Sequence, residues 1–400
     1  MLNSSKLADF VESAFEKKPH GVIESLSDFI RIPNVSPIFD AQWDENGLEQ
    51  RAFAHLAAWC KLQPIAGMSV ELLKHPHKTS LLFIEIAAFG VAKANQSTVL
   101  CYSHADKQPP LPPWSAGLAP YEPVLRDGKL YGRGGGDDGY GVYSALTAIA
   151  AIQALGHSHA RTVVIVEGSE ESGSPHLMHY VDFLAPRIGT PSLVCALDSG
   201  TENYLQLWMT SSLRGLVAGT LRVDILREGI HSGNSGVAAS SFRILRRLLD
   251  RIEDADTGAI VADGFSNGIP DEHVQAAKRV AEVVGDAVWK DVPLVDGARP
   301  VSFDNAELLL NKTWRPTLSI TGVGGIPALK DAGNVLRSHT AVKISLRLPP
   351  NVDAPTAGAK LKALLERDPV RAAGAVADRR LPLSHLCFRV CPAVWRQGVV

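Results

Sequence analysis

The segment RTVVIVEGSEESGS (161–174) constrains this chain more than any other. A run of β-branched residues, TVVIV, suits a strand buried on both faces. It ends in Glu167, Glu170 and Glu171, three carboxylates within five positions. Such charges repel one another unless a cation sits among them, so other segments must help to hold one. STVLCYSHAD (97–106) is a second β-type run, and it stops at His104 and Asp106. PSLVCALDSG (191–200) is a third and stops at Asp198. Helical patterns over 139–156 and 175–189 separate these strands. The alternation predicts a parallel sheet with right-handed crossovers, in which every strand delivers its C-terminal end to one edge. His104, the Glu170–Glu171 pair and Asp198 are therefore expected to converge. LYGRGGGDDG (130–139) leads into the first of those helices and adds Asp137 and Asp138.

One imidazole and several carboxylates on one edge form a ligand set for a divalent cation, with zinc, manganese and cobalt all chemically suitable. The cluster has no cysteine, which argues against a structural zinc knuckle. The chain has no H-E-x-x-H, which excludes that single-helix design. Gly134, Gly136 and Gly139 match the spacing of a dinucleotide loop, but two aspartates inside it would oppose a pyrophosphate. The glycines are expected instead to turn the backbone tightly, so that Asp137 faces the site.

With 400 residues, the chain has room for two domains with cores of their own. A net charge of −2 gives no electrostatic footprint for nucleic acid or an anionic membrane. No apolar stretch approaches the ~20 residues of a spanning helix. The N-terminal residues read as an amphipathic helix carrying Leu7, Phe10, Val11 and Phe15, which makes the cytoplasm the expected location. Five scattered cysteines form no disulfide framework, and Cys60, Cys101 and Cys195 are expected as buried thiols. After Asp198 the pattern changes. Strand-like segments at 211–226, 315–323 and 340–348 alternate with helical ones at 240–254 and 354–368, predicting an α+β unit with mostly antiparallel strands. The expected class is α/β, a mainly parallel sheet with flanking helices, into which an α+β domain is inserted.

The motifs SHAD, LYGRGGGDDG, EGSEESGS, LDSG, HSG, AGNVL and SLRLPP occur in the order seen in the di-metal exopeptidases. The chain resembles that family, which includes carnosine dipeptidases, carboxypeptidase G, acetylornithine deacetylase and succinyl-diaminopimelate desuccinylase. EGSEESGS and SLRLPP look closest to the carnosine dipeptidase branch, and the resemblance spans roughly residues 20–368. It implies a catalytic part over 1–210 and a dimerisation or lid domain over 211–368. It also implies two divalent metal ions, zinc first, with manganese or cobalt as alternatives. His104 and Asp198 would bind one ion, Asp137 would bridge both, and Glu171 would bind the second. Glu170 would be the general base and Asp106 would orient His104. From the lid of a homodimer, His231 would reach the partner's site and stabilise the oxyanion. Arg347 would hold a substrate carboxylate, and Asn334 would lie near the substrate. The implied reaction is hydrolysis of a dipeptide or an N-acyl amino acid.

Two departures stand out. DDGYG replaces the family's Asp-Asp-Lys-Gly, at a position that binds no metal. Residues 369–400 form an atypical tail with no Gly-rich stretch and no final metal-binding His beside a Glu. His385 is the one histidine there, and its LPLSHLCF context does not match. The tail reads as a shifted frame or unrelated segment. It leads to the expectation of a second ion held only by Asp137 and Glu171, exposed apolar helix faces, and weak or absent peptidase activity.

Overall fold

The computed structural model describes residues 3–94 and 97–367, together with the backbone of 386–391. The composition break at 369 and His385 fall outside the described residues, apart from that last stretch of backbone. The chain divides into two compact units, Met1–Gly200 and Thr201–Val400.

The first unit holds helices α1 (Ser4–Glu16), α2 (Val22–Ile30) and α3 (Leu48–Lys61), then strands β1 (Met68–Leu73), β2 (Leu81–Ile86) and β3 (Thr98–His104). A small hairpin, β4 (Val124–Arg126) and β5 (Lys129–Tyr131), precedes α4 (Tyr140–Ala154), β6 (Arg161–Glu167), α5 (Leu177–Ile188) and β7 (Leu193–Ala196). Its five-stranded sheet has the order β1-β2-β6-β3-β7. The predicted strands β6, β3 and β7 run parallel, with β6 and β3 inside the sheet and β7 at its edge. Strands β1 and β2, which the sequence reading did not identify, extend it antiparallel.

Period-two alternation divides the core. Leu82, Ile84, Val164 and Val166 face Phe29, Phe53, Leu56 and Tyr143 of α2, α3 and α4. Leu81, Phe83, Val163 and Ile165 face Tyr180, Leu184 and Ile188 of α5 on the other side. A strand covered on both faces has no solvated side, which is why TVVIV is continuous rather than alternating. In the β3–β6 register His104 lies opposite Glu167, and in the β3–β7 register Tyr102 lies opposite Ala196. Three parallel strands thus end level with one another, and their loops leave from one edge.

On β7, Leu193 and Val194 are about half exposed (54% and 51%), and Met178 and Phe183 of α5 are exposed as well. The α1 helix forms as predicted but buries no residue fully, and only Phe10 among the four named residues packs against the core cluster. Of the expected buried thiols, Cys60 is fully buried, whereas Cys101 and Cys195 are half-buried free thiols facing each other across β3 and β7. An outer strand gets less cover than a central one, so the reading was right only for the thiol on α3.

The second unit contains β8 (Gly215–Asp224), β9 (Ile230–His231), α6 (Ser241–Leu249), α7 (Asp271–Val284), α8 (Ala287–Lys290) and α9 (Asn305–Thr313). These are followed by β10 (Thr317–Gly324), β11 (Val335–Leu336), β12 (His339–Leu348), α10 (Ala354–Glu366) and β13 (Leu386–Cys391). Its antiparallel sheet has the order β10-β12-β8-β13. Alternate residues Val342, Ile344, Leu346 and Leu348 of β12 pack with Leu245 and Leu248 of α6 and Leu361 and Leu365 of α10. Capping sets where the helices start. Ser240 accepts from the Arg243 N–H, and Asp353 accepts from the Thr356 N–H. No helix among the described residues is long and apolar enough to cross a membrane.

Burial pushes the Cys60 thiol up to about 12. The thiolate is the reactive form. In the folded chain at pH 8 Cys60 is therefore expected to resist iodoacetamide and to become alkylated only on unfolding. Mass spectrometry of chains pulsed with reagent along a urea series checks this.

Candidate metal centre

His104 is the last residue of β3, and its ring is fully buried. Its Nδ1 lies 3.1 Å from the backbone oxygen of Asp106 and 3.5 Å from the Asp106 carboxylate. A proton on Nδ1 donated to that carbonyl leaves Nε2 to face the cluster. Asp137 Oδ1 lies 3.1 Å from Nε2, Asp198 Oδ2 3.8 Å and Glu170 Oε2 3.9 Å. One ligand atom each from His104, Asp137 and Asp198 fall within 4.8 Å of one another. Donors bound tetrahedrally to one zinc-sized ion sit about 3.4 Å apart. The observed 3.1 Å and 3.8 Å bracket that value, so these three side chains fit a shared divalent ion.

The acids around this point are perturbed in the way a missing cation predicts. Burial, partly countered by His104 and reinforced by Asp198 and Glu171, pushes Glu170 up to about 7. Burial likewise raises Glu171 and Asp198 above the usual carboxylate range. Glu171 Oε2 is held by Gln108, whereas its Oε1 is buried with no hydrogen-bond partner among the described residues. An orphaned buried carboxylate oxygen is what an ion-ligating position looks like without its ion. Asp137 moves the other way. Its bond to His104 holds it below the usual range against the cost of burial. Burial opposes charge on His104, but the bonds to Asp106 and Asp137 and the surrounding acids push it up to about 12. Without a metal, the imidazolium is thus the cation of the cluster.

The site depends on local backbone bonding. The Glu170 and Glu171 N–H groups each donate to the Asp106 carboxylate at 3.1 Å, which fixes the turn carrying both acids. The sequence reading gave Asp106 the imidazole as its partner. In the structure its carboxylate mainly caps this turn, and its carbonyl meets the ring more closely. Asp137 is exposed and Asp138 buried, with Asp138 Oδ2 accepting the His104 backbone N–H at 3.0 Å. The Asp137–Asp138 peptide is cis. Gly139 allows this turn, since a Cβ there would meet the Phe29 ring (Cδ1 at 2.8 Å).

Glu167 does not join the cluster. It is buried and takes hydrogen bonds from Tyr102 (2.6 Å), Ser174 (2.7 Å) and Ser169 (3.2 Å). Burial still raises its pKa. Three hydroxyls, rather than a cation, satisfy the first of the three glutamates. The sequence reading singled out none of Tyr102, Gln108 and Asp138 for these roles. The only signal for them was proximity to the motifs, and which neighbour turns inward is decided by packing.

The remaining predicted residues lie in the second unit. His231 ends β9, is exposed, and its Nδ1 accepts the Gly233 N–H at 3.0 Å. Asn334 lies alongside, its carbonyl accepting the Ser232 N–H at 3.0 Å. Both sit near the sheet end where Asp224 pairs with His339. Arg347 is exposed near the other end of β12, opposite Leu216 and Thr317.

Comparison with known proteins identifies the family. The profile of peptidase family M20/M25/M40 matches residues 100–309, more than half of the chain, and the chain belongs to that family. It is 27% identical over 272 residues to a cysteinylglycine-S-conjugate dipeptidase of Corynebacterium striatum, covering 67% of this chain and 56% of that protein. It is 26% identical over 276 residues to the human Beta-Ala-His dipeptidase, covering 64% and 51%. The fold matches the dipeptidase Dug1p of Saccharomyces cerevisiae with a TM-score of 0.67 at 22% identity, over 90% of this chain and 74% of that one. The chain spans just over half the length of the two curated relatives.

An ion entering this cluster must displace the proton on His104 Nε2. Metal affinity is therefore expected to fall as pH is lowered, and binding of the first ion at pH 7 should release about one proton. Titration calorimetry in two buffers of different ionisation enthalpy measures the release. In H104A both the release and the tight binding should disappear.

Proposed function

We propose that this chain is a metal-dependent peptidase whose centre hydrolyses the amide bond of a dipeptide. The convergence of His104 Nε2 with the carboxylates of Asp137, Asp198 and Glu170 carries this reading. His104, Asp137 and Asp198 would hold the first ion, and Asp137 with Glu171 the second. When bound, such ions polarise a scissile carbonyl and make water acidic enough to attack at neutral pH.

Glu170 is the group that handles the proton. It sits beside the ligand atoms without being needed as one, and burial brings it to about 7, the range in which a carboxylate both takes and returns a proton. It accepts a proton from the attacking water and passes it to the leaving amine. Its backbone bond to Asp106 holds it at this position through both transfers. Among the described residues, Asp137 and Glu171 are the donors that this reading assigns to the second ion.

The relatives named above act on dipeptides, which supports a dipeptide as substrate. Arg347 offers a planar guanidinium that can bind both oxygens of a terminal carboxylate. His231 and Asn334 lie on or beside the separate β9–β11 ladder, which adjoins the other end of β12. Eight positions of β12 separate His339 from Arg347, roughly 27 Å. That distance is too long for both ends of one sheet to reach a single dipeptide, and it supports a homodimer in which His231 acts on the partner's site.

Three measurements test this. E170Q should keep its metal and lose about 10²- to 10⁴-fold in kcat on a β-alanyl or cysteinyl dipeptide with added Zn²⁺ or Mn²⁺. Unchanged kcat in E170Q would remove Glu170 from the mechanism. Mixing inactive E170Q and H231A chains should restore about a quarter of the parent activity, because half the dimers are mixed and each has one intact site. No recovery would argue against the shared site. Faster turnover of an N-acyl amino acid than of the dipeptide would make the chain a deacylase.

A further inference from the structure

Lys107 is fully buried, yet the mechanism above does not use it. No carboxylate pairs with it among the described residues. Its Nζ donates to the Phe29 carbonyl (2.8 Å), the Ile32 carbonyl (2.6 Å) and Asn34 Oδ1 (2.8 Å), and lies 3.9 Å from the centre of the Phe29 ring. Burial pushes the Lys107 amine well below its usual range, and the three acceptors oppose that shift by matching the three donors of an ammonium, where a neutral amine would serve only two. Two of them are carbonyls at the C-terminal end of α2, where the helix dipole favours a cation.

The residues that Lys107 holds are tied to every ligand-bearing segment of the first unit except the one carrying Asp198. Asn34 Nδ2 donates to the Ala105 carbonyl, between His104 and Asp106, at 2.8 Å. The Lys107 N–H donates to the Asn34 carbonyl, and the Ser36 N–H donates to the Lys107 carbonyl. Ser36 Oγ meets Ser172 Oγ at 2.5 Å, and the Ile38 N–H donates to Ser172 Oγ at 2.9 Å, in the turn that carries Glu170 and Glu171. The Lys107 stem fills the space over Gly134, where a Cβ would lie 2.7 Å from Lys107 Cγ and 2.8 Å from Cδ. Gly134 begins the turn that presents Asp137, in a left-handed conformation (φ +82°).

We infer that Lys107 is the positioning residue of the metal centre: its Nζ clasps residues 29–34 so that the strand end bearing His104, the Asp137 turn and the Glu170–Glu171 turn keep one mutual geometry. This rests on the metal reading proposed above.

The test uses the full chain, stripped of metal and titrated with Co²⁺, whose visible absorption reports ligand geometry. K107M keeps the stem and removes the donors. It is expected to unfold cooperatively, to bind Co²⁺ roughly 10- to 100-fold more weakly and to show an altered spectrum. N34A removes one acceptor and the tie to Ala105, and should shift both readouts in the same direction. A lowered melting temperature with parent-like Co²⁺ affinity and spectrum in K107M would overturn the inference and leave Lys107 a core residue. If K107M does not fold, folded N34A with unchanged affinity and spectrum overturns it. A parent chain that binds no Co²⁺ overturns the metal reading and this inference together, whereas parent binding with unaffected variants overturns this inference alone.

Discussion

Repulsion among carboxylates is the constraint on which this structure turns. Asp137 and Asp198 bring oxygens within 4.8 Å of each other, and Glu170 faces the same imidazole. One like-charged pair at 4–5 Å costs roughly 3–4 kcal/mol at an effective dielectric near 20. Folding stability as a whole is about 5–15 kcal/mol. Two or three such pairs left unscreened would consume most of it. The fold tolerates the cluster because His104 carries positive charge there, because Glu170 and Glu171 hold protons more readily than free acids, and because the ligand set can take up a cation.

Carboxylates serve two purposes at this edge. Some face the ion position, and others organise the backbone. Asp106 accepts two N–H groups of the 170–171 turn, Asp138 accepts the N–H of His104, and Glu167 is held by three hydroxyls. An acid that accepts backbone hydrogen bonds is fixed in place and fixes the backbone in return. The donors of the centre are thus carried on a strand end and on loops, which other acids one to three residues along the chain help to hold.

The second unit presents a different problem. Its four-stranded antiparallel sheet carries Arg347 near one end of β12, whereas His231, with Asn334 beside it, lies on the separate two-stranded ladder of β9 and β11 that adjoins the opposite end of β12. That spread of the three residues along the unit is the starting point of the proposal that copies share it.

The identity and direction of β3, β6 and β7, and the approach of His104, Asp137, Glu170 and Asp198 to one another, were legible in the sequence. Buried strands, helical spacing and ligand-type residues at strand ends are local patterns, and a right-handed crossover leaves one way to assemble them. Strands β1 and β2 were overlooked, although LLFIEI is a strong apolar run, because no chemistry drew attention to them. The sequence could not say that Asp138 would accept the His104 N–H, that Asp106 would cap a turn 64 residues away, or that Lys107 would bind three acceptors beneath the site. Those outcomes depend on which side chains meet across elements distant along the chain. Contacts of that kind exist only once the helices have packed on the sheet, so tertiary structure alone decided them.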